Sequence, residues 1–263
     1  MKRKRIIFTC GICAAAFGLA LSLSVNCPGQ GEAPSTPGEL FAKGNEYYVS
    51  GDHASAIGEY EKILALDQES GPLYYNLANA YFKAGALGKA ILNYQRAKDL
   101  MPRDADLLAN YRYARAMVQG KEVPCRGIWN WAPLRIYCAG VSIDEMTLIS
   151  SGMYLVIIVL LFIGVLRPGW RRLFVPVIIA LAVAISLNVI VIWHKTREIR
   201  TAAVTIKPDT EALYAPYGSA TKFFTLPEGM KVNVLKDKDQ WRRVRRSDGN
   251  VGWVPRESLE MVR

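Results

Sequence analysis

The sequence predicts a multidomain membrane protein made of an all-α helical array, two transmembrane helices and a small all-β barrel. Three observations predict it. Two charge-free apolar runs, 146–166 and 173–193, each 21 residues long, stand six residues apart. A helix rising about 1.5 Å per residue over such a run crosses the roughly 30 Å hydrocarbon core of a bilayer. Before these runs, small and aromatic residues recur with a period of 34. After them the pattern changes to short β-branched and aromatic runs separated by turns.

The chain opens with Lys2-Arg3-Lys4-Arg5 and an uncharged, mostly apolar stretch. Residues 1–28 therefore read as a signal peptide or as an uncleaved N-terminal anchor, followed by a Gly/Pro/Ser-rich linker, 29–36. Either form leaves the basic end in the cytoplasm and residue 36 onward outside. Cys10 and Cys13 have redox-motif spacing but lie inside the apolar run, which argues against that use. Cys27 lacks the Leu and small residue that should precede a lipidated cysteine.

Residues 37–120 hold the periodic part. A shift of 34 aligns Tyr47 with Tyr81, Gly51 with Gly85, Ala56 with Ala90 and Tyr60 with Tyr94. Thr36-Pro37-Gly38-Glu39 offers an N-cap, a proline at the first helical position and a capping-box glutamate. Gly51-Asp52 stops that helix and caps the next, and Asp104 caps a final one. This order of small, aromatic and proline residues resembles the tetratricopeptide repeat, with units 37–70 and 71–104 and a closing helix. Two repeats are a minimal array, so a partner or the membrane part is expected to steady them.

The resemblance implies a peptide-binding groove lined by the first helix of each pair, here Phe41, Asn45, Tyr48, Asn76, Asn79, Phe82 and, from the closing helix, Asn110. Family members that clamp a terminal carboxylate carry asparagines matching Asn45 and Asn76. Phe41, Asp106 and Asn110 stand where that clamp wants basic groups, so a neutral groove of amides and aromatics is expected. Solvated surface is the plainer alternative for the asparagines.

Residues 121–145 form a linker containing Cys125 and Cys138. An oxidising compartment would let this pair form a disulfide; free thiols are the alternative. The connector 167–172 is too short for anything but a tight turn, and its Arg167, Arg171 and Arg172 suit the cytoplasmic side. Both soluble parts then lie on the periplasmic side of a bacterial inner membrane. Lys195, Arg197 and Arg200 dissent mildly, because this topology places them outside. The net charge of +10 raises a nucleic-acid partner. More than half of the excess flanks apolar segments, where Lys and Arg set orientation and meet headgroups, so no nucleic acid is expected.

In residues 200–263, strands are expected at 202–206, 212–215, 222–225, 230–235, 241–245 and 251–255. Leu226-Pro227-Glu228-Gly229 and Ser247-Asp248-Gly249-Asn250 supply the turns. With Trp241-Arg242-Arg243-Val244 and Gly252-Trp253-Val254-Pro255, the series resembles the bacterial Src-homology-3-like domain. That resemblance implies binding of cell-wall peptides or proteins, with Tyr214, Tyr217, Trp241 and Trp253 as candidate contacts, although tryptophans in this pattern more often fill the core.

No catalytic, cofactor-binding or metal-ligating constellation appears. His53 and His194 are the only histidines and stand far apart, and no Gly-rich phosphate loop follows a strand. Taken together, the order of signal, short array, membrane hairpin and terminal barrel resembles the E-type protein family of the bacterial Bat (Bacteroides aerotolerance) operon. The resemblance implies a non-enzymatic membrane scaffold working with von Willebrand factor A-type Bat proteins and a MoxR-type ATPase in stress tolerance. A cell-wall sensor, whose barrel binds peptidoglycan peptides, is the alternative.

Overall fold

The computed structural model describes residues 36–118, 137 and 140–263. The signal or anchor, linker residues 29–35 and the pair Cys125 and Cys138 lie outside the described residues.

Helix α1 (Pro37–Ser50) starts with a complete capping box: the Thr36 hydroxyl accepts from the Glu39 N–H, and the Glu39 carboxylate accepts from the Thr36 N–H. It stops at Gly51, whose φ of 87° suits a residue without Cβ. Asp52 accepts from the Ser55 N–H at 3.0 Å and opens α2 (His53–Ala65). Helices α3 (Gly71–Lys83) and α4 (Leu87–Leu100) form a second hairpin, each starting 34 residues after its counterpart. Asp104 caps α5 (Ala105–Ala116). Ala56 and Ala90 have no exposed surface. At Gly44 an added Cβ would stand 2.5 Å from the Tyr60 ring, so small residues set the approach of the helices.

Helices α6 (Ile143–Leu166) and α7 (Arg171–Thr201) are joined by a 3-10 turn, Pro168–Trp170. Both are long and apolar enough to cross a membrane. Apolarity placed the second run's end at Trp193, but α7 continues to Thr201 and passes directly into the first strand. The reason is local: Lys195, Arg197, Glu198 and Arg200 end the apolar pattern without breaking the helix, and no Gly or Pro intervenes.

The strands are β1 (Ala202–Thr205), β2 (Thr210–Leu213), β3 (Lys222–Leu226), β4 (Lys231–Lys238), β5 (Trp241–Arg245), β6 (Val251–Pro255) and β7 (Leu259–Met261). They form one antiparallel sheet in the order β3-β2-β6-β5-β4-β1-β7. The three-residue β7 was not foreseen, being too short to show an alternation. Ala203, Ala212, Leu226, Val232, Val244 and Val254 make the sheet's own core.

The sheet does not stand apart from the helices. Ala202, Val204 and Val262 belong to the same buried cluster as Ile91, Leu92 and Tyr111. The Arg96 guanidinium donates to the carbonyls of Val262 (2.9 Å) and Met261 (3.0 Å) and pairs with Glu260, covering the edge at β7. The neighbour that steadies the short helical array is thus the terminal barrel.

Candidate functional site

Helices α1, α3 and α5 bring the predicted groove residues together in a repeated hydrogen-bond unit. The Asn45 carboxamide oxygen accepts from the Tyr60 hydroxyl at 2.7 Å and from Asn76 Nδ2 at 3.0 Å. Thirty-four residues on, the Asn79 oxygen accepts from the Tyr94 hydroxyl at 2.5 Å and from Asn110 Nδ2 at 3.3 Å. Asn110 Nδ2 also donates to the Tyr75 hydroxyl at 2.9 Å. These asparagines tie successive hairpins together and are not free surface. Their pairing could not be read from spacing alone, because Asn45 and Asn79 each meet a tyrosine from the other helix of their own hairpin.

Asn45, Tyr48, Val49, Tyr60, Asn76 and Asn79 line a cleft of about 200 Å³. Phe41 and Phe82 frame it from further out; the Phe41 ring lies 5.8 Å from Tyr60, and Phe82 meets Tyr113 edge-on. Burial pushes the Tyr60 phenol up to about 12 and the Tyr94 phenol higher still, so both remain proton donors to the ladder near neutrality. With both carboxamide oxygens used, the Nδ2 groups of Asn45 and Asn79 are, among the described residues, the donors the ladder leaves for a ligand. Such donors suit backbone carbonyls.

On the barrel, strand alternation sends Arg242, Val244, Gly252 and Val254 inward, all of them buried. Trp241 and Trp253 share the opposite face and are half-buried. They are therefore not core, in contrast to what is usual for the pattern: the interior of so small a sheet is filled by Ala, Val and Leu. Trp241 lines a cleft with Lys207, Thr210, Leu213, Pro255 and Ser258. Tyr214 and Tyr217 are exposed, and Tyr214 stacks on Phe223 at 4.4 Å. Phe223 gives no sequence signal as a surface aromatic, because the pairing of Tyr214 with it depends on the bulge between Ala212 and Leu213. Arg242 keeps its stem buried while its head reaches Asp237 and the Leu259 carbonyl, separating it from exposed Arg243 and Arg245.

A third feature draws on distant segments. A cavity of about 270 Å³ between α4, α5, α7 and the barrel is lined by Lys98, Asp99, Arg115, Lys195, Glu198 and Lys231 among others. Burial lowers the Lys98 pKa and raises that of Asp99. Among the described residues no group of His, Cys, Asp and Glu is placed to hold a metal.

Residues 217–260 match the bacterial SH3 domain. The match runs from the loop before β3 into β7, so the C-terminal antiparallel sheet contains an SH3-like domain, and the sheet adds β1 and β2 ahead of the matched residues. A bacterial SH3 domain suggests binding of protein or of peptidoglycan. The chain is also similar to human Sperm-associated antigen 1, at 35% identity over 83 residues. That likeness covers 28% of this chain and only 9% of the human protein's length.

Proposed function

We propose that this chain is a non-enzymatic, membrane-anchored scaffold whose helical hairpins are tetratricopeptide repeats. On this reading the amide groove binds an extended segment of a partner protein, and the SH3 domain makes a second contact in the cell envelope. The observation that carries it is the repetition of Tyr60–Asn45–Asn76 as Tyr94–Asn79–Asn110, with Asn45, Asn76 and Asn79 lining one cleft. The resemblance to the Bat operon proteins supports von Willebrand factor A-type membrane partners and a MoxR-type ATPase, in stress or aerotolerance. The placement is a multi-pass inner-membrane protein with both soluble parts periplasmic. Single cysteines near Ser55 and Asp248 should then react with an impermeant thiol reagent in intact cells, whereas one at Gly169 should be shielded.

Val49 supplies the test of the groove, because it lines the cleft, is 85% exposed and has no part in the ladder. Val49→Asp should leave the thermal melt unchanged and reduce co-purification of von Willebrand factor A-type proteins with the full chain severalfold. Unchanged recovery would remove the groove from the interaction. The second reading, a peptidoglycan-peptide sensor, is favoured by the exposed Tyr214–Phe223 stack beside the Trp241 cleft. Retention of the full chain on immobilised peptidoglycan, lost in Tyr214→Ala, would favour it.

A further inference from the structure

From the end of the apolar part of α7, three residues follow one helical face at spacings of four and three: Trp193, Arg197 and Arg200. Trp193 is 61% exposed, and the Arg197 guanidinium lies over its ring, 5.5 Å from the centroid. Arg197 and Arg200 are both exposed. Among the described residues, neither forms an ion pair, since the neighbouring Glu198 pairs with Lys231 on the barrel side. Lys195 and Ile199 also turn that way, Lys195 donating to the Val141 carbonyl and Ile199 packing against the array core. The stripe is thus the part of this segment left facing away from the protein's own contacts.

The far end of the helix has a comparable arrangement. Trp170 is exposed next to Arg171 and Arg172, and Trp170 and Trp193 are separated along α7 by roughly 34 Å at about 1.5 Å per residue. That separation matches a bilayer core with an aromatic residue at each boundary. Arg171 is used internally, its Nε donating to the Gly164 carbonyl. Arg197 and Arg200 have no such use, and they stand on the side that the positive-inside bias leaves poor in cations.

We propose that Trp193, Arg197 and Arg200 form a binding site for the phosphate headgroup of an anionic lipid, in the leaflet that faces the array and barrel. The indole rests at the hydrocarbon boundary and the two guanidiniums reach the phosphate one and two turns above it, as charge-assisted donors. A net-negative headgroup is selected over a zwitterionic one, whose own ammonium already compensates its phosphate. The proposal rests on α6 and α7 spanning the membrane.

The test uses the full chain. Alkaline carbonate treatment of vesicles carrying it comes first: release of the wild type would sink the spanning reading itself, before any lipid is titrated. The retained chain is then taken into detergent with equal phosphatidylglycerol and phosphatidylethanolamine, and bound lipid is read by native mass spectrometry. The wild type should hold phosphatidylglycerol preferentially. Arg197→Gln/Arg200→Gln should lower that preference about thirtyfold, at the strength of two cations near an anionic surface. A charge-matched change on the exposed barrel face, Arg243→Gln/Arg245→Gln, should leave it unchanged. Equal preference in wild type and the Arg197/Arg200 variant, or an equal loss in the barrel variant, overturns the site. Displacement of the lipid by millimolar inorganic phosphate overturns the lipid assignment in favour of a soluble anion.

Discussion

The two helical hairpins share a 34-residue pattern and nearly the same backbone, yet they are held in different ways. Helix α3 buries seven residues where α1 buries two, and α4 buries eight where α2 buries four. The first hairpin has one neighbour in the array, whereas the second lies between that hairpin, α5 and the barrel. Burial here follows position in the stack more than composition.

Their caps differ in the same sense. Asp52, before α2, and Ala86, before α4, occupy corresponding positions with φ, ψ of −80°, 74° and −85°, 74°. Asp52 caps its own helix, but Ala86 has no side-chain oxygen. The missing acceptor comes from the barrel: the Glu228 carboxylate accepts from the Gly88 N–H at 2.7 Å, 140 residues away in sequence. A carboxylate at this end also meets the positive end of the helix dipole. Gly88 must be glycine for a steric reason, since an added Cβ would stand 2.5 Å from the Thr205 carbonyl oxygen. The comparison shows one repeat capping itself and the other completed by a different domain.

Alkaline pH should separate the hairpins most strongly. The second carries Tyr74, pushed up to about 12 by burial, and Tyr81 and Tyr94, pushed higher; the first carries Tyr60, also at about 12. Each folded pKa is raised above the unfolded value near 10, so their contribution is complete below pH 10 and is lost as pH rises through about 12 for Tyr60 and Tyr74 and at still higher pH for Tyr81 and Tyr94. Tyrosinate absorbance from these residues should appear together with loss of helical circular dichroism. Early ionisation without loss of helix would contradict their burial.

Gly88→Val should cost about 1–3 kcal/mol by overpacking against the Thr205 carbonyl. The same valine at the corresponding exposed position, Ala54→Val, should stay within about 0.5 kcal/mol. Equal melting temperatures for the two variants would mean that the barrel does not dock on α4. Glu228→Ala should cost about 0.5–2 kcal/mol, the range of a lost N-cap. Adding Ala86→Asp should restore much of it, because that backbone already matches Asp52. Failure of the rescue would assign the Glu228 effect to docking instead of capping. The smallest expected change is a gain: Gly58→Ala, in the middle of α2 with open space around it, should stabilise by about 0.5–1 kcal/mol.

Local chemistry made much of this architecture legible. The Thr36–Glu39 box, Gly51-Asp52 and Asp104 act within a few residues of themselves, and the apolar runs and the alternation in β5 and β6 are equally local. The positions Asn45, Asn76, Asn79 and Asn110 were legible as a set through the resemblance to the tetratricopeptide repeat, which assigns them to the first helix of each pair and to the closing helix. That their oxygens are taken by Tyr60 and Tyr94 depends on how the helices cross, which periodicity does not state. Composition likewise marked Lys195, Arg197 and Arg200 as a charged flank but left undecided that the segment stays helical and turns Arg197 and Arg200, with Trp193, away from the protein's own contacts. The junction was out of reach altogether. A glycine at 88, an alanine at 86 and a glutamate at 228 are unremarkable in sequence. They become a cap and a close contact only because burial of Ala202, Val204 and Val262 against α4 brings the barrel's turn onto the helix, and a hydrogen bond spanning 140 residues leaves no local signal.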